Sequence, residues 1–120
     1  MENVAKFASV LLNSREQTHI FHLQATSYAV HMALGGYYDA MGGLVDGYVE
    51  NYQGIYGILK GYVPSKSFFE DDDALKYMEE LSKFVKDNRD ELPDDTELNN
   101  TVDEILTLIH STIYKLKFLK

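Results

Sequence analysis

Apolar residues return every three or four positions along most of this 120-residue chain, and its only two prolines, Pro64 and Pro93, fall where that rhythm lapses. Proline has no amide hydrogen to give a helix interior, so the two prolines divide a helical sequence into blocks. Within the first block, Val4, Phe7, Ala8, Leu11 and Phe21 share one stripe, and Asn13, Arg15, Glu16 and Gln17 lie mainly off it. This spacing predicts a first helix over about 2–23. Gln24-Ala25-Thr26-Ser27 reads as a break in which Thr26 or Ser27 caps the next helix.

The segment 27–61 holds all eight glycines and no proline, yet it keeps a helical rhythm of large apolar residues. An interior glycine costs a helix about 1 kcal/mol relative to alanine. Gly47, Gly54 and Gly61 recur every seven residues, as do Gly35 with Gly42 and Gly36 with Gly43, so small residues gather on a few faces where another helix can approach. A helix broken near Gly42-Gly43 is the competing reading. Gly61 to Ser65 ends the segment.

After a connector to about Asp71, the run Asp71-Asp72-Asp73 caps a third helix over 72–91, with Leu75, Met78, Leu81 or Ser82, and Val85 on its core face. Leu92-Pro93 stops it. Asp94 with Glu97 reads as a capping box for a fourth helix over 95–119, whose stripe is Leu98, Val102, Ile105, Ile109, Ile113, Leu116 and Leu119. Lys115, Lys117 and Lys120 complement its dipole. Four helices with one longer connector predict a single all-α domain, a four-helix bundle.

The formal net charge of −8 argues against a nucleic-acid binder, which needs clustered Lys and Arg, and the only basic cluster is the three C-terminal lysines. Residues 1–61 carry a net of −2, so most of the acid lies later, at helix ends. Asp46 and Glu50 are different, because they interrupt an apolar stretch. With no cysteine, any metal must be held by His, carboxylate or water. The first residues do not resemble a signal peptide and no run is long enough for a membrane span, so a cytoplasmic location is expected.

His19, His22 and His31 fall within thirteen residues around the first turn, and Asp46 and Glu50 share a helix face four residues apart. Imidazole with carboxylate is a ligand mix for iron, manganese or zinc. Two carboxylates one turn apart repel, so both are expected to be at least half-buried against His19 or His22 and His31, of the same or a neighbouring subunit, around a metal. His110 reads as a core-edge residue, and the tyrosines of 28–62 as packing.

The set His19, His31, Asp46 and Glu50 resembles the ferroxidase ligands of the Dps family of mini-ferritins. Tyr28-Ala29-Val30-His31 is similar to that family's aromatic-x-x-His, and Val45-Asp46-Gly47-Tyr48-Val49-Glu50 to its apolar-Asp-x-x-Ala-Glu. His22-Leu23-Gln24 matches the family's His-Trp-Asn signature at least as well as His19-Ile20-Phe21, so either histidine can be the first ligand. Gly35 stands where the family has a further acid. The stretch from His-x-x-His through Ser-Tyr-Ala-x-His to Val-Glu-x-Tyr-Gln-Gly-x-Tyr-Gly also resembles small ferritin-like proteins of tailed bacteriophages.

The resemblance implies a ferritin-like four-helix bundle, and the glycines of 27–61, which leave shallow grooves beside Tyr37, Tyr38, Tyr48, Tyr52 and Tyr56, predict a homo-oligomer, a dimer or larger, with helix two supplying much of the contact. The resemblance also implies an iron site in which two histidines of one subunit face Asp46 and Glu50 of a two-fold mate, and oxidation of that iron by dioxygen or peroxide. The alternative is a non-enzymatic helical interaction protein that kept the bundle, lost the metal and binds a partner protein.

Overall fold

The computed structural model describes residues 2–63 and 72–120. Pro64, Ser65 and Asp71, read above as stop and cap, lie outside them. Among the described residues four helices form: α1 (Glu2–Gln24), α2 (Tyr28–Tyr56), α3 (Ala74–Asn88) and α4 (Thr96–Phe118), with a 3-10 turn at Arg89–Glu91. Among the described residues there is no strand, and no helix is long and apolar enough to cross a membrane.

Side-chain pairs between helices fix their directions. Phe7 meets Tyr48 and Ser14 meets Tyr37, so α1 and α2 run antiparallel. Phe7 also meets Phe84 while Phe21 meets Tyr77, which makes α3 antiparallel to α1. Arg89 pairs with Asp103, Ser82 with His110 and Glu79 with Lys117, so α4 is antiparallel to α3. Helix α4 packs on α2 as well. Going round the bundle the order is therefore α1, α2, α4, α3, with α2 and α3 parallel and diagonal. Two antiparallel hairpins are joined by a connector whose ends lie at opposite ends of the bundle.

The core follows the predicted stripes closely. Val4, Phe7, Ala8, Leu11 and Phe21 on α1, Met78, Leu81, Ser82 and Val85 on α3, and Leu98, Val102, Ile105, Ile109 and Leu116 on α4 are all buried. Leu119 is exposed, and Leu75 and Ile113 lie at the margin. Helix α1 hides more polar side chains than its stripe predicts, since Asn13 is buried along with Ser9, Ser14 and Thr18. The three hydroxyls donate to backbone carbonyls of Ala5, Leu11 and Ser14 in the preceding turn, which removes most of the cost of burying them. Because the Ser14 hydrogen goes to Leu11, the buried Tyr37 hydroxyl donates to Ser14 Oγ at 2.7 Å.

The end of α2 and the cap of α4 differ from the sequence reading. Helix α2 runs unbroken through Gly42-Gly43 as expected but stops at Tyr56 instead of continuing to Gly61. Gly57 has φ +97°, which an L side chain resists, and its N–H closes on the Gln53 carbonyl. The Gln53 side chain then accepts from Leu59 N–H, and Val63 N–H reaches Ser9 Oγ on α1. At α4 the capping box does not form. Asp95 is the N-cap residue, makes no side-chain cap bond, and instead accepts the Tyr56 hydroxyl at 2.5 Å. Ser27 and Asp73 cap α2 and α3 as the sequence suggests.

The buried phenols give a testable alkaline signature. Burial pushes Tyr37 and Tyr77 well above the usual phenol range and Tyr48 to about 12, and the bond to Asp95 raises Tyr56 to about 12. A phenol raised in the fold stabilises it fully below its unfolded value near 10 and loses that contribution as pH climbs toward the folded value. Part of the phenolate absorbance near 295 nm, that of Tyr37, Tyr48 and Tyr77, should therefore be withheld until helical signal collapses near or above pH 12. A single smooth titration with the helices intact would contradict this packing.

Candidate metal and self-association face

The turn between α1 and α2 brings His22 and His31 into a clasp. Their rings stack with centroids 3.5 Å apart and planes 21° from parallel. His22 Nδ1 lies 2.5 Å from the His31 carbonyl, and His31 Nδ1 lies 2.8 Å from the His22 carbonyl. A carbonyl oxygen only accepts, so both Nδ1 atoms carry hydrogen. Each neutral ring then has its lone pair on Nε2, and neither Nε2 has a partner among the described residues. An Nδ1–H anchored on a backbone carbonyl is the arrangement that orients metal-binding imidazoles through Nε2.

Gly35 makes the clasp fit. A Cβ at that position would meet His22 Cε1 at 3.1 Å and Nδ1 at 3.2 Å. The His22 ring thus occupies the space into which a longer residue 35 would grow. His19 is exposed, 6.0 Å from His22 by ring centroids, and stacks on Tyr38 at 4.4 Å. Beside it, Arg15 Nε donates to the Tyr38 carbonyl, and its guanidinium lies flat on α2 where a Cβ on Gly42 would be only 3.1 Å away. Leu12, Arg15, Glu16, His19 and Tyr38 line an open cleft of about 380 Å³. Arg15 escaped the sequence reading, although it lies one turn before His19 and shares its face.

Asp46 and Glu50 correct the expectation placed on them. Both are exposed, and neither forms an ion pair or hydrogen bond among the described residues. They lie 15 and 19 residues beyond His31 on one unbroken helix, about 22 and 28 Å along it at the helical rise. No group of three or more metal-ligating side chains occurs among the described residues. The three histidines and the Asp46–Glu50 pair therefore do not meet within one chain, because the unbroken α2 holds them apart. His110 is exposed at the bundle edge and bonds Ser82, as expected of a core-edge residue. Of the tyrosines on α2, Tyr37, Tyr48 and Tyr52 pack in the core, whereas Tyr28 and Tyr56 are exposed.

The outward side of α2 is lined by Met32, Gly36, Asp39, Gly43, Asp46, Glu50 and Gly54, all exposed. At Gly36, Gly43, Gly47 and Gly54 an added Cβ would meet nothing within 4 Å. Nothing among the described residues requires glycine there, although each costs helix stability. A comparison with curated proteins and one with solved structures found no match. A family profile matches residues 22–116, the stretch that holds His22, His31, Asp46, Glu50 and the glycines. The chain belongs to DUF5856, a family of unknown function.

Proposed function

We propose that the chain is a ferritin-like bundle that takes up ferrous iron between two copies of itself, as a ferroxidase or an iron-sequestering protein. The observation that carries this reading is the His22–His31 clasp, which leaves two imidazole Nε2 lone pairs at one end of an outer helix face. Asp46 and Glu50 stand unpaired at the other end of that face. An antiparallel copy of α2 brings the carboxylates of one chain to the histidines of the other. Imidazole nitrogen with carboxylate oxygen suits iron, and manganese or zinc would use the same donors.

The bundle topology supports the ferritin-like part of the reading, since two antiparallel hairpins with one long crossover are the arrangement of ferritin-like folds. Iron here is substrate, giving one electron per ion to dioxygen or peroxide. The chain's own contribution is to hold it, with His22 and His31 fixed by their backbone bonds and His19 close by. Mixing the protein with ferrous iron under air should raise ferric absorbance faster than buffer alone. His31→Ala and Glu50→Ala should each slow that rate at least about tenfold, the scale on which loss of ligand or orienting contacts weakens metal sites. A rate equal to buffer, indifferent to both substitutions, would rule the reading out.

The absence of a three-ligand group within the described residues favours a second reading, a helical interaction protein without metal chemistry. Metal analysis of protein purified without chelators separates the two. Stoichiometric iron, manganese or zinc would exclude the second, and metal-free protein that still associates would favour it.

A further inference from the structure

We infer that Arg15 and Asp39 set the register of a two-fold dimer, pairing across copies where the two α2 helices cross near Ala40. The inference rests on the self-association reading above and names the contact that fixes its geometry.

Arg15 carries the first reason. In the single chain its Nε is held by the Tyr38 carbonyl and its guanidinium is laid over Gly42, yet it forms no ion pair among the described residues. A guanidinium fixed in position with its remaining N–H donors unspent is prepared for a carboxylate. Asp39, exposed on the neighbouring part of α2, is likewise unpaired.

Register carries the second. In an antiparallel pair, residues equally far before and after the crossing point lie at the same level. With the crossing at Ala40, the copy's Asp39 comes level with the Tyr38–Gly42 stretch that Arg15 covers. The same register sets the copy's Glu50 level with Val30 and His31, and its Asp46 level with Leu34, one turn from His31. Every imidazole or guanidinium on this face then meets an acid of the other copy. Gly36 and Gly43 lie on either side of the crossing with open space where a Cβ would stand, so the two backbones can approach closely. Charge complementarity of this kind fixes register and rejects wrong partners.

The test uses the full chain in the presence of a chelator, so that metal plays no part. Sedimentation at tens of micromolar should show a dimer for the parent protein. Arg15→Asp and Asp39→Arg alone should each weaken the dimer at least about tenfold, and the two together should restore it, while circular dichroism stays helical. Because the chain has no cysteine, a single introduced thiol can pair only with its own copy. Ala40→Cys should form a disulfide-linked dimer under mild oxidation, and Lys86→Cys, an exposed position on α3, should not. A monomeric parent overturns the inference. So does a dimer that ignores both charge reversals or fails to cross-link through residue 40, and in that case the iron assay still judges the metal reading independently.

Discussion

Phe7→Ala should destabilise the fold by about 3–5 kcal/mol, the usual cost of removing a fully buried ring. Phe7 is fully buried, and it is the residue at which three helices meet. Its ring meets Tyr48 of α2 edge-on at 5.3 Å and stacks with Phe84 of α3 at 6.4 Å. A domain of this size has a total stability of about 5–15 kcal/mol, so one substitution removes a large share. The melting midpoint should fall by about 12–20 °C, at about 4 °C per kcal/mol for a chain between the small and the larger size classes. Leu119→Ala, at an exposed position beyond α4, is the control and should stay within about 0.5 kcal/mol of the parent. Equal effects of the two would mean that α1 does not pack as described.

The stripes that build this core could be read from the sequence because they depend on local periodicity alone. Phe7, Leu11, Met78, Ile105 and Ile109 each fall on a helical face, and each is buried. What could not be read depends on partners distant in the chain. Asp94 with Glu97 looks like the cap of α4, but the helix starts one residue later, where the Asp95 carboxylate is taken by Tyr56, thirty-nine residues earlier. Gly57 and Gly61 both have positive φ and both suit a helix end, and composition alone does not say which one ends α2. Leu59 keeps the apolar rhythm going past Gly57, but it is buried from the connector and not from a helix. Asn13 shows the same limit, since its burial depends on what covers that side of α1.

For the candidate site, the sequence revealed the residue types but not their grouping. The clustering of His19, His22 and His31 was visible, whereas the mutual Nδ1 bonds of His22 and His31 require the chain to double back between them. The Asp46–Glu50 spacing was visible too. Their exposure was not, because an acid in an apolar stretch looks buried until the helix is seen to turn that face outward. Arg15 was hidden for the opposite reason: it looks ordinary alone, and it matters only through the contact of α1 with α2.

Replacing Gly36, Gly43 and Gly47 together by alanine should make the single chain more stable and the dimer weaker. The three positions are helical, and a Cβ at any of them meets nothing within 4 Å, so the bundle has no steric reason to resist. Alanine is favoured over glycine in a helix by about 1 kcal/mol, which gives roughly 3 kcal/mol of added stability for the three. In the proposed pairing these methyl groups project into the space between the two α2 helices and hold the backbones apart. Overpacking of that kind typically costs 1–3 kcal/mol, or about tenfold or more in association. Gly54→Ala separates the two effects. By the same register Gly54 lies level with residue 26 of the copy, before α2 begins, so it should stabilise the chain and leave the dimer unchanged. Chemical denaturation at low concentration reads the first quantity and sedimentation the second. If the triple variant is more stable and still dimerises like the parent, the outer face of α2 is not the surface through which copies meet, and the iron site built on that meeting loses its support.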